Sequence, residues 1–319
     1  MPLLKKKLIT KTKKMKIIKK GDSGPEVHRL QTVLKLQQDG VFGPATEKAV
    51  IRFQLAYDLK PDGIVGPSTW ERLMIGSTYQ EEAIDEDTDN QSMIWQTNYD
   101  QTVHRYFLPK GEYLEGPVVN EYAFLHHTAG RHNPFKVVDH WGRDTRGRVA
   151  TEFVLGGKCS SSGKDEYDGV MVQAFPVGGY GWHLGKTGSG HMNRHSTGIE
   201  ICAFGYLKDG KTYVNTTVRE DQIYTLKEPF RGYTQYHSYT DKQMEETEKW
   251  IKYIAERDGI DVRLGLKQWI QKYGPAKAFD FQEDAYYGKV KGLLTHTNVR
   301  RDKTDCYPDE RLIDIILSL

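Results

Sequence analysis

Cysteine is scarce in this chain. Its 319 residues include three, Cys159, Cys202 and Cys306, too few and too scattered for a disulfide framework. Cys202 lies in an apolar run and reads as a buried thiol. Long apolar stretches are missing too: none approaches the roughly 18 residues of a membrane span. The N-terminal lysines are not followed by an apolar core of about 7–15 residues, so no signal peptide is read and synthesis in the cytoplasm is expected. A net charge of +2 selects no partner class, and no nucleic-acid partner is expected.

Local absences are more informative. Residues 1–20 contain nine lysines and no acid. Such a run reads as a tail (residues 1–16) drawn to anionic polymers or membranes, the alternative being a solvated tail with no partner. From Leu73 to His104 there is no lysine or arginine, while Glu81, Glu82, Asp85, Glu86, Asp87 and Asp89 crowd among polar residues. That composition predicts a linker over residues 76–97, dividing a first domain at 17–75 from a second at 98–319.

The first domain carries an internal repeat. Asp39-Gly40-Val41-Phe42-Gly43-Pro44-Ala45-Thr46 recurs as Asp62-Gly63-Ile64-Val65-Gly66-Pro67-Ser68-Thr69, an offset of 23. Each copy reads as a turn followed by a helix start: glycine for the turn, proline for the first helical position. Ala49, Val50, Phe53 and Tyr57 follow the first copy at helical spacing, and Trp70 and Leu73 follow the second. Val27, Leu30, Val33 and Leu34 predict an earlier helix. The expectation is a small bundle of about three helices.

The second domain alternates strand-like and helix-like segments, which predicts an α/β fold with a mixed sheet and covering helices. Strands are expected at Tyr122–His127, Val149–Leu155, Gly169–Phe175 and Thr197–Phe204. The clearest helix is Asp241–Arg257, opened by a Thr240/Gln243 capping box and closed at Gly259. Another is expected at Leu264–Tyr273, and a last one from Asp309. Residues 208–238 show little periodicity and receive no assigned structure.

Two distant stretches read as halves of one metal site. Phe124-Leu125-His126-His127-Thr128-Ala129-Gly130 is an apolar run ending in a histidine pair. Thr295-His296 is followed by Lys303-Thr304-Asp305-Cys306. A hydrolytic zinc site needs three protein ligands and an open position. In an extended strand the paired histidines face opposite ways, so only one of them serves a given site. Between the halves, Ser196-Thr197-Gly198-Ile199-Glu200 carries an acid that can serve as base. Alternation sends Glu200 to one face and Ile199 and Ile201 to the other.

Together these pieces resemble the zinc-dependent N-acetylmuramoyl-L-alanine amidase family. The doubled Asp-Gly-x-x-Gly-Pro-x-Thr turn resembles the peptidoglycan-binding domain found beside many wall hydrolases. The resemblance covers residues 17–75 and 120–310, and is weak at 205–240 and 258–290. It implies a Zn2+ cofactor held by His126, His296 and Asp305, with His127 structural. Cys306 is a rival third ligand, because Cys306 and Tyr307 intervene before Pro308 where the family has proline directly. It implies Glu200 as general base and Lys303 as the cation that stabilises the oxyanion. It places Trp182, His183, Asn193 and Thr151 along the substrate cleft. Glu152 is a second candidate for the base, although it would point away from Thr151. The implied activity is cleavage between N-acetylmuramic acid and L-alanine of the stem peptide in bacterial peptidoglycan. A phage-type endolysin reaching the wall after membrane permeabilisation fits best. A wall-binding protein without catalysis, and a zinc peptidase acting within the stem peptide, are the alternatives.

Overall fold

The computed structural model describes residues 16–34, 36–56, 59–70, 73, 93–116 and 118–319. The chain divides into two compact units, Met1–Asp87 and Thr88–Leu319. The tail read at 1–16 lies outside the described residues except for Lys16, as does most of the stretch read as a linker at 76–97.

The first unit contains helices at Pro25–Val33 and Pro44–Ala56, with residues 67–70 also helical. Ile18, Val27, Leu30, Phe42, Val50, Val65, Trp70 and Leu73 form one buried cluster. The repeat is repeated in its hydrogen bonds. The Gln31 amide donates to Asp39, to the Val41 carbonyl and to Thr46, and accepts from Gly40 N–H. Twenty-three residues on, Gln54 donates to Asp62, to the Ile64 carbonyl and to Thr69, and accepts from Gly63 N–H. A buried primary amide saturates the turn's polar groups twice over, which is what lets so small a unit bury them.

The second unit is built on a mixed sheet. Its strands are β1 (Met93–Gln96), β2 (Thr102–Arg105), β3 (Leu114–Glu115), β4 (Tyr122–His127), β5 (Phe153–Leu155), β6 (Met171–Gln173), β7 (Gly179–Tyr180), β8 (Ser196–Ile201), β9 (Tyr206–Leu207), β10 (Ile223–Phe230), β11 (Tyr233–His237) and β12 (Gly292–Thr295). Seven of them form one sheet in the order β1-β2-β6-β5-β8-β4-β12. From its middle to one edge, β5, β8, β4 and β12 run parallel. Their side chains are buried on both faces, apart from half-buried Glu200.

One face packs against the helix Asp241–Asp258 through Ala123, Leu125, Phe153, Ile199, Ile201, Trp250, Ile251 and Ile254. That helix starts with the expected Thr240/Gln243 capping box and stops at Gly259, whose φ of 64° suits glycine. The other face carries Tyr122, Phe124 and Leu294, and leads to the histidines.

Residues 208–238, whose sequence shows little periodicity, form most of a second sheet, β10-β11-β9. β10 is largely solvent-facing, so it shows no apolar alternation, and Pro229 interrupts its strand signal. Among the described residues no helix is long and apolar enough to cross a membrane.

Candidate metal centre

Sheet register builds the centre. His126, near the end of β4, is the Cα partner of Glu200 on β8. Thr295, the last residue of β12, pairs with Leu125 on the other side of β4. Glu200 and His126 therefore share a row on adjacent parallel strands, and His296 opens the short helix that directly follows β12, all at the strands' carboxyl ends. Ligands of open α/β sheets collect at that edge.

Asp305 completes the cluster. His126, His296 and Asp305 form a buried group able to hold a metal ion. His126 Nδ1 is 3.1 Å from His296 Nδ1. Asp305 Oδ2 is 3.2 Å from the first and 3.0 Å from the second. Ligand atoms about 2.0–2.1 Å from a tetrahedral zinc are about 3.3 Å apart, so the triangle has the size such an ion requires.

The protons also fit. Ser196 Oγ–H donates to the Met192 carbonyl at 2.7 Å. Its oxygen then accepts from His183 Nε2–H at 2.8 Å, which leaves His183 Nδ1 to accept from His126 Nε2–H at 2.9 Å. His126 Nδ1 is thereby a lone pair. His296 Nε2 faces the Leu184 carbonyl at 3.4 Å, which can only accept, so its Nδ1 is a lone pair as well. Two imidazole lone pairs and a carboxylate oxygen thus converge, an arrangement that calls for a cation at its centre.

Electrostatics follow from burial. Desolvation pulls the His126 pKa down to about 4, against the Asp305 hydrogen bond, which raises it. Burial works against ionisation of Asp305, yet protonated His296, and the hydrogen bonds that either Nδ1 donates only once it carries a proton, hold its carboxyl well below the usual range. Glu200 is pushed well above that range by burial and by the Asp305 charge, against the opposing charge of Lys303. Its Oε2 is buried without a hydrogen-bond partner. A carboxylate oxygen left free beside a ligand triangle is available for proton transfer.

The remaining predicted residues fall into distinct places. His127 leaves β4 on the opposite face, where its Nδ1 meets the Tyr239 hydroxyl at 3.0 Å. Cys306 is fully buried in the main core cluster and stands apart from the ligand group; burial raises its thiol far above the ordinary value. Glu152 is bound by Arg257 at 2.5 and 2.8 Å and accepts from Thr197 and Gln173, so a buried ion pair consumes it.

Thr151 is buried with its hydroxyl on the Phe153 carbonyl. A Cβ added at Gly198 would come within 3.1 Å of Thr151 and 3.2 Å of His183. Asn193 spends its amide on Leu184 N–H and the Gly185 carbonyl, fixing the turn whose Leu184 carbonyl meets His296. Trp182, 43% exposed, is open to a ligand. His183, 8% exposed, sits behind His126. Ser196, first residue of the Ser196–Glu200 motif, holds the His183 ring from behind. Its signal was its place two residues before Gly198 on the same strand face.

Residues 116–306 match the family model described as N-acetylmuramoyl-L-alanine amidase. Residues 23–73 match that of a peptidoglycan binding domain. Among solved structures, a peptidoglycan-binding protein from Clostridioides difficile in complex with glutamine hydroxamate is 44% identical, with a TM-score of 0.18. The match covers 18% of this chain and spans only 40% of that one. PlyL is 13% identical over 63% of this chain and 84% of its own, with a TM-score of 0.35. A mutant endolysin from Bacillus subtilis is 18% identical over 59% and 98%, with a TM-score of 0.32. No curated protein matches the chain.

Proposed function

Because this chain belongs to the N-acetylmuramoyl-L-alanine amidase family, we propose that it hydrolyses the amide joining N-acetylmuramic acid to the L-alanine of the stem peptide. The observation that carries the reading is the Glu200–His126 register pair joined by His296 and Asp305. Zinc, when bound, acts as a Lewis acid toward water and the amide carbonyl. His126, His296 and Asp305 would hold it. Glu200 takes the proton of the attacking water and delivers it to the departing amine nitrogen, so the C–N bond breaks to leave a carboxylate and a free L-alanine amine. Lys303 donates to the carbonyl oxygen as negative charge gathers there. Its charge already acts on Glu200 and His126. Trp182 offers an exposed ring to the sugar or peptide.

The N-terminal unit holds the wall in this reading, and tethering raises the local concentration of substrate around the cutter. The lysine tail adds attraction to anionic wall polymers. The biological role we propose is that of an endolysin, made in the cytoplasm and acting on the wall once the membrane is permeabilised. Digestion of purified walls tests the chemistry. A new L-alanine amino terminus, abolished by a chelator and restored by zinc, supports it. A new terminus elsewhere in the stem peptide makes the enzyme a peptidase, and binding with no cleavage makes it a recognition protein. The complete His–His–Asp group weighs against the last of these.

A further inference from the structure

The segment joining the two later ligands, His296 and Asp305, is held at its surface by the Arg300–Asp302 pair, by Arg300 on the Leu184 carbonyl and by Arg301 over the Phe281 ring. Residues 300–304 include no buried side chain. Yet this segment carries Lys303 and must present Asp305 to within 3.0 Å of His296. Its ends are tied by the Thr297 N–H, which donates to the Asp305 carbonyl at 3.0 Å.

What fills the loop comes from elsewhere in the chain. Arg231 sits at the tip of the β10–β11 hairpin. Its Nη1 donates to the carbonyls of Arg300 at 3.1 Å, Arg301 at 2.7 Å and Lys303 at 2.9 Å. Its Nη2 donates to the Thr297 carbonyl at 3.0 Å and pairs with Asp280 at 2.5 Å. One planar guanidinium thus gathers four carbonyls of the loop between the ligands. Charge-assisted bonds of this kind are shorter and stronger than neutral ones, and the fork geometry is one that lysine does not reproduce.

The backbone at the tip carries a second sign. Phe230 pairs with Tyr233, so Arg231 and Gly232 form a two-residue turn, with φ of 52° and 85°. Two left-handed residues make the type I′ turn, whose first position suits asparagine or glycine far better than arginine. An unfavourable residue kept in a strained position points to a task outside the turn.

We propose that Arg231 is a positioning residue for the metal centre: the hairpin exists to insert this guanidinium into the His296–Asp305 loop and hold Asp305 and Lys303 in working geometry. The proposal rests on the zinc amidase reading for its effect on turnover, but not for its effect on metal binding.

Arg231→Asn is the decisive variant, because asparagine suits the turn and removes only the fork. Zinc affinity of the full chain is measured by chelator competition, with kcat and KM on a soluble muropeptide, and circular dichroism reporting the fold. The expected result is retained fold, zinc affinity lower by about 10–100-fold, kcat reduced, and KM within about twofold of the unchanged protein. Arg231→Lys should recover part of both losses. Amide exchange at residues 298–304 in the metal-free chain should be faster in Arg231→Asn. Unaltered zinc affinity and unaltered exchange in a folded Arg231→Asn overturn the proposal. A global loss of fold in both Arg231→Asn and Arg231→Gly also overturns it, since the residue would then be a fold determinant. If the unaltered protein fails to cut the muropeptide, the amidase reading fails alone, and the metal and exchange measurements still decide the clamp.

Discussion

His126 and Glu200 are Cα partners on adjacent parallel strands, so a candidate metal ligand and the candidate base leave the sheet side by side on one face. Neither can be shifted without a slip of strand register, and such a slip would send every apolar side chain of the strand to the wrong face. The geometry of the site is therefore tied to the packing of the core.

That pairing makes Glu200 separable from the ligands. Glu200→Gln should keep zinc and fold, and lower kcat by about 10²–10⁴-fold. Metal content and single-turnover hydrolysis of a muropeptide check it. Near-normal turnover would remove Glu200 from the chemistry.

The third ligand can be decided by two substitutions. Asp305 joins the histidine pair while Cys306 points into the core. Asp305→Ala should lose stoichiometric zinc, whereas Cys306→Ala should keep it and lose only some thermal stability. Metal analysis after gel filtration measures both. Zinc lost from Cys306→Ala but kept in Asp305→Ala would reverse the assignment.

The Ser196–His183–His126 chain predicts an effect at a distance. Ser196→Ala removes the acceptor for His183 Nε2–H, freeing His183 to adopt the other tautomer and to donate toward His126. Zinc affinity should fall by about tenfold or more, with Glu200 untouched. A chelator titration giving equal affinities for Ser196→Ala and the unaltered protein would count against the proton order described above.

Acid sensitivity follows from two buried histidines outside the ligand group, His127 on the sheet face opposite His126 and His237 on β11. Burial draws His127 and His237 down to about 4. These folded values lie below the ordinary histidine value, so between about pH 6.5 and 4 the unfolded chain binds protons that the folded chain refuses. Their contribution is present above about pH 6.5 and is lost as pH falls toward 4. Metal-free protein should unfold at lower urea concentration at pH 5 than at pH 7.5; equal midpoints would contradict this.

The sequence alone determined the local pieces. Alternation assigned Glu200 to the face opposite Ile199 and Ile201, which lie in the core. The capping box at Thr240 and the glycine at 259 bounded the longest helix. The 23-residue offset revealed the doubled turn. Each of these depends on neighbours a few residues apart, where side-chain period and backbone conformation are set by the chain itself.

Tertiary structure decided what depends on partners far along the chain. That Glu152 is spent on Arg257, 105 residues away, could not be read from either segment. Nor could the burial of His183 between His126 and Ser196, or the turn of Cys306 into the core while its neighbour Asp305 meets the two histidines. The hairpin that delivers Arg231 had no apolar alternation in β10 to announce it, because that strand faces water on much of its length. Polar side chains acquire their roles from what they meet, and those meetings are fixed by sheet register and loop closure rather than by local pattern.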